Sequence, residues 1–182
     1  MALAVVGAAV AMVAGCGSND EADEPAPTAT GTMTLTSEAF PDGGDIPREF
    51  TCDGINVSPP LGWAGAPPDT RSFVLLVDDP DAGSFDHWLV YDIPAVLSAL
   101  DQAASPGGAL PEGAKEGRNG FKQAGYGGPC PPKGKPHNYS FRISALDTAL
   151  NLETGATKKT LEGAMQGHVV AQGELVGLYE RE

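Results

Sequence analysis

Basic side chains are scarce in this 182-residue chain. Eleven Lys and Arg stand against 24 Asp and Glu, for a formal net charge of −13. No basic stripe with interleaved aromatics can be drawn, which excludes the usual electrostatic footprint of nucleic-acid binding. An acidic balance of this size chiefly favours solubility. Cysteine is scarcer still, with only Cys16, Cys52 and Cys130, and none lies in a C-x-x-C pair. That argues against a zinc knuckle or a thioredoxin-type centre. The sequence lacks a G-x-S-x-G elbow, a Walker loop and G-x-G-x-x-G, so it offers no activated serine and no nucleotide cradle. The apolar stretch "MALAVVGAAVAMVAG" is too short to span a bilayer comfortably.

That stretch does have the length of a signal-peptide core. Its small residues lead directly into Cys16 and resemble the bacterial lipobox, in which the cysteine thiol is lipidated and the preceding segment removed. Residues 17–32, "GSNDEADEPAPTATGT", are acidic and then Pro/Thr-rich, with no large apolar side chain to offset ordering entropy. The expected organisation is a lipoprotein signal peptide over residues 1–15, then lipidated Cys16 with a flexible tether to residue 32. A single folded domain follows over 33–182, facing the extracytoplasmic side of the cell membrane. With Cys16 so used, Cys52 and Cys130 remain as an even pair in an oxidising compartment, which favours a disulfide over two free thiols.

The folded part is rich in turns, since the chain holds 24 Gly and 16 Pro. "SFVLLVDD" (72–79) is a short continuous apolar run, expected to be a strand buried on both faces. In "HWLVYDIP" (87–94), alternation puts His87, Leu89, Tyr91 and Ile93 on one face and Trp88, Val90 and Asp92 on the other. "NYSFRISAL" (138–146) alternates more cleanly, with Tyr139, Phe141, Ile143 and Ala145 together. Leu161, Ala164, Met165 and His168 recur at helical spacing, with Thr157 as N-cap and Gly167 as stop. A last strand is expected around 173–180. The fold class is mainly β, an antiparallel sandwich with one or two short helices, one near the C-terminus.

Two segments gather ionisable and ring-bearing residues at strand ends. In "DDPDAGSFDHW" (78–88), pairing of the flanking strands would return Asp79 and His87 to one end of the sheet. A carboxylate there would raise the imidazole pKa and fix its ring. In "GYGGPCPPKGKPHNY" (125–139), His137 and Tyr139 share parity and project to one side. Gly127 and Gly128 suit close approach of backbone amides, and Pro131-Pro132 makes a stiff wall.

These segments, together with "TCDGINVSPPLGW" (51–63) and "GHVVAQGELVGLYER" (167–181), resemble the signatures of the phosphatidylethanolamine-binding proteins. That family is also called the Raf kinase inhibitor-like proteins, and the likeness, to its bacterial branch, covers residues 33–181. It implies a β-sandwich with a small pocket for anions such as phosphate or phospholipid headgroups. Position by position, the ligand-binding set would be Asp79, His87, Pro131, Pro132, His137 and Tyr139, with a cis-prone proline wall. Where the family commonly carries Arg after the second histidine, this chain has Asn138, which removes one expected anion contact. The leading expectation is therefore a lipid-anchored, non-catalytic binding or regulatory protein that needs no cofactor. The sequence identifies no protein partner. Two alternatives stand beside it: a metal-dependent enzyme using Asp79, His87 and His137 as ligands, and a Cys130–His137 nucleophile pair.

Overall fold

In the computed structural model, which describes Met1 and residues 31–182, three long strands form the centre of a mixed sheet. They are β5 (Ser72–Asp79), β6 (Phe85–Pro94) and β9 (His137–Leu146), followed at the end of the chain by β10 (Val169–Tyr179). Short strands complete the set: β1 (Gly31–Thr32), β2 (Thr34–Thr36), β3 (Gly44–Asp45), β4 (Leu61–Ala64), β7 (Ala99–Leu100) and β8 (Lys115–Glu116). The large sheet runs β1-β10-β9-β5-β6-β8, with β3 also on β10, and β2-β4-β7 make a second, smaller sheet. Pairing is antiparallel except that β1 and β3 lie parallel to β10. The sheet thus begins at Gly31, two residues before the sequence placed the domain start. The expected signal segment, Cys16 and most of the expected tether fall outside the described residues.

Two apolar clusters sandwich the large sheet. One face, with Phe73, Leu75, Val77, Trp88, Phe141 and Ile143, packs on the small sheet through Leu35, Leu61 and Trp63. The other face, with Val74, Leu76, Leu89 and Tyr91, is covered by Leu161 and Met165 of helix α1 (Lys158–Met165). Because β5 contributes to both clusters, all eight of its residues are buried, as its unbroken apolar run requires. Thr157 caps α1 by accepting from Thr160 N, and Gly167 turns with φ +76 just after it. His168 lies past the helix, exposed and paired with Asp147 at 2.8 Å.

Strict alternation fails twice in β6, and each failure is a β-bulge. Phe73 pairs with Ile93 but Leu75 pairs with Val90, so β6 holds an extra residue there. Asp92 absorbs it with φ +54 and uses its carboxylate to bind the backbone N–H of Leu150 and Asn151. Ile93 consequently turns to the face of Trp88 and Val90 rather than that of Leu89 and Tyr91. The second bulge follows from Val77 pairing with Trp88 while Asp78 pairs with Asp86, which leaves His87 as the extra residue.

Candidate functional site

The bulge at His87 is what assembles the site. Simple alternation puts His87 opposite Trp88, on the helix side of the sheet. The extra residue instead swings the imidazole to the side of Tyr139, whose ring it meets edge-on at 5.2 Å. Tyr139 shares its face of β9 with Phe141 and Ile143. His137 stands two residues before it. Asp79 has the parity of Val77 and so reaches the same side from β5. All four lie at one end of the sheet and are almost wholly buried, with exposures of 3% for Asp79 and His87, 5% for His137 and 0% for Tyr139.

Asp79 orients His137, not His87. Its Oδ2 lies 2.7 Å from His137 Nδ1, while its Oδ1 accepts from Ala82 N and caps the 3-10 turn Pro80–Ala82. Both carboxylate oxygens are therefore engaged, and the residue positions a ring. His87 Nδ1 is bonded to the Gly127 carbonyl at 2.5 Å. A carbonyl only accepts, so Nδ1 carries the proton, and Nε2 becomes a donor only in the imidazolium. Burial holds the His87 pKa below its ordinary value of 6.5, outweighing the Gly127 bond and the charge of Asp79. The expected upward shift is thus reversed, because removing the ring from water costs the cation more than these partners return.

Tyr139 is the conspicuous group. Its hydroxyl has no hydrogen-bond partner of good geometry, although the Cys130 backbone and the Asp79 carboxylate lie near it. Burial first, and then the Asp79 charge, push its pKa well above the ordinary tyrosine value. Buried hydroxyls are rarely left unpaired. This one stands beside the two histidines.

The wall is built as expected in part. Cys52 and Cys130 form a disulfide with Cα atoms 5.4 Å apart, which removes the Cys130 thiol from any nucleophilic role. Pro131 is buried and Pro132 is exposed. Among the described residues the cis peptide is Ser105–Pro106, so neither wall proline follows one. The glycine amides do not face a ligand, since Gly127 N donates to His87 O and Gly128 N to Asn56 Oδ1. The glycines serve packing instead: a Cβ at Gly127 would lie 2.6 Å from the Phe121 ring, and one at Gly128 would lie 2.3 Å from Phe50 O. Asn138 is tied to Asp81, which accepts from both its backbone N and its Nδ2. Those two bonds keep Asp81 below the usual carboxylate range.

Three neighbours escape the sequence reading. Phe85 and Phe121 stack edge-on against His87 and against each other, and Asn119 holds the turn that carries Phe121. A charge pattern could have pointed there. Between Glu116 and Asp147 the chain has no acid, yet it carries Arg118, Lys122, Lys133, Lys135 and Arg142. Nearly half of all basic residues fall in the segment that builds this side of the site.

A shared metal is not what the donors are arranged for. Asp79 and His137 bind each other, His87 binds a carbonyl, and the described residues contain no cluster of three metal-ligating side chains. Two clefts, of about 350 and 460 Å³, lie elsewhere and include none of the six residues of the expected ligand set except through neighbours such as Lys133.

Residues 36–180 match the family described as phosphatidylethanolamine-binding protein. The UPF0098 protein of Methanothermobacter thermautotrophicus is 47% identical over 151 residues, covering 82% of this chain and 99% of that protein. The UPF0098 protein YbcL of Escherichia coli is 39% identical over 158 residues, covering 83% of this chain and 82% of that protein. The crystal structure of Escherichia coli YbcL, described as a member of the mammalian family, superposes with a TM-score of 0.78 at 35% identity, over 82% of this chain and 99% of that one. A homologue from Chlamydia trachomatis, CT736, gives 0.76 at 40% identity, over 83% and 99%.

Proposed function

The chain belongs to the phosphatidylethanolamine-binding protein family, and from that premise we propose that it binds small anions of the phosphate class without transforming them. In this reading His137, Tyr139 and His87 in its imidazolium form supply the donors, Asp79 holds His137, and Pro131 and Pro132 form the wall. A lipid on Cys16 would display the domain outside the membrane, a reading that rests on the N-terminal sequence pattern alone. The observation that carries the binding role is the buried Tyr139 hydroxyl, which makes no hydrogen bond of good geometry in its own fold although the Asp79 carboxylate and the Cys130 backbone lie near it. An anion in reach of it would satisfy that group and gain a charge-assisted hydrogen bond. Arg118, Lys122, Lys133 and Lys135 of the acid-free segment are exposed and give this side of an acidic molecule a favourable local field, whereas Arg142 pairs with Asp78 on the helix face.

Tyr139→Phe tests the reading cleanly, because it removes only the unpaired oxygen. In a purely structural site the change would be neutral or stabilising, by up to about 1 kcal/mol. In a binding site it also weakens inorganic phosphate, by about tenfold or more. Calorimetric titration together with a thermal melt reads both. Equal phosphate affinity in parent and variant would overturn the assignment.

A further inference from the structure

The side chain that covers His87 is also the one large aromatic that the domain leaves in solvent. Phe121 is 44% exposed, and the other exposed large hydrophobics among the described residues are Met1, Ile55 and Val96. Its ring lies edge-on to Phe85 at 4.9 Å and to His87 at 5.7 Å. Nothing about this placement is loose. Asn119, 5% exposed, donates from Nδ2 to Gly125 O and accepts at Oδ1 from Gln123 N, closing both ends of the turn. Gly120 N donates to Asp86 O on β6. Lys122 takes φ +64 at the tip. Two glycines make room for the rings, since a Cβ at Gly120 would lie 2.5 Å from Phe85 and one at Gly127 would lie 2.6 Å from Phe121. A built turn thus holds an apolar ring half in water beside a binding histidine.

We propose that Phe121, backed by Phe85, is a specificity-determining residue that receives an apolar substituent carried by the bound anion. The natural ligand is then an organic phosphate whose alkyl or aryl group lies against this ring, in preference to free phosphate. The proposal rests on the anion-site reading and adds the class of the substituent. Charge decides against the other partner an aromatic face can take, a cation. The exposed side chains of Arg118 and Lys122 flank Phe121 in the turn, whereas the acids at this end of the sheet are already engaged, Asp79 by His137 and Ala82 N, Asp81 by Asn138 and Asp86 by Lys158. An ammonium group would meet two like charges there, while a phosphate with an apolar arm meets complementary charge and an apolar surface.

Titration calorimetry with methyl, n-butyl and phenyl phosphate tests this at constant headgroup charge. The parent is expected to bind butyl or phenyl phosphate about tenfold more tightly than methyl phosphate, the return for covering roughly two methylenes' worth of apolar surface. Phe121→Ala should bring that preference to within about threefold, read as the ratio of butyl to methyl phosphate affinity in the same variant. Phe121→Leu, still apolar, should retain most of the butyl preference. The butyl and phenyl arms show whether the favoured substituent is aliphatic or aromatic. Equal binding of all three by the parent overturns the proposal and leaves the anion site standing, as does an equal loss of all three in Phe121→Ala. Failure of the parent to bind even methyl phosphate overturns the anion site itself.

Discussion

At the scale of single residues, each histidine of the site is fixed at Nδ1 by one partner, His87 by a carbonyl and His137 by a carboxylate. His87 shows what that costs. Its pKa in the fold lies below 6.5 because it is buried, so the unfolded chain binds the proton more readily than the native one. The neutral ring therefore contributes fully to stability above about pH 6.5, and that contribution declines as the pH falls below it. A bound anion reverses the preference, since it pairs with the imidazolium. The thermal midpoint of the free parent should fall more steeply from pH 7 to pH 5 than that of His87→Gln, and phosphate should stabilise the parent more at pH 5 than at pH 7. Parallel pH profiles for parent and variant would show that His87 does not titrate in this way. The chemistry-bearing residues were legible here, because His, Tyr and Asp at strand ends announce themselves by type. Their pairings were not. Asp79 is eight residues from His87 and 58 from His137, yet it binds the distant ring, and only the antiparallel return of β9 beside β5 makes that so.

At the scale of elements, strands were readable wherever one periodicity held. β5 matches its apolar run, β9 matches its alternation, and α1 starts at its predicted cap. Alternation identifies β6 as a strand but misassigns its faces, because a bulge leaves no mark on residue type and shifts parity for every residue beyond it. The turn holding Phe121 escaped notice for a similar reason, since Asn-Gly there closes a loop by side-chain bonds that no spacing displays. The disulfide was legible from counting alone. It ties the wall to the turn at 48–56, where Cys52 N also donates to Pro129 O, Tyr126 Oη to Phe50 O and Gly128 N to Asn56 Oδ1. Because three hydrogen bonds hold the same junction, removing the bridge should loosen the unfolded chain more than the native wall. A Cys52→Ser/Cys130→Ser variant is expected to lose about 2–4 kcal/mol of stability, a drop of roughly 5–15 °C in melting midpoint, while keeping phosphate affinity within about threefold. A variant that melts like the parent, or one that folds and no longer binds phosphate, contradicts that division of labour.

At the scale of the whole molecule, the two ends of the large sheet have different tasks. β1 joins β10 at Ala171 and Gln172, where β10 faces Ala145 and Ser144. The site lies where β10 ends, with Tyr179 opposite His137. Eight residue steps of strand separate these points, about 27 Å. The chain therefore enters the domain at the end of the sheet remote from the site. Residues 17–30 precede Gly31, and a flexible tether of that length, if their composition makes them one, would reach about 20 Å. An anchor at Cys16 would then hold the domain by its far end and leave the site facing away from the bilayer, open to soluble ligands. Protein lipidated at Cys16 and reconstituted in phosphatidylcholine vesicles should bind inorganic phosphate as tightly as soluble Cys16→Ser, and Cys16→Ser should move from the membrane to the soluble fraction on cell fractionation. If the variant stays with the membrane, Cys16 is not the anchor. If the anchored form alone loses phosphate binding, the site faces the bilayer and the tether does not act from the remote end of the sheet.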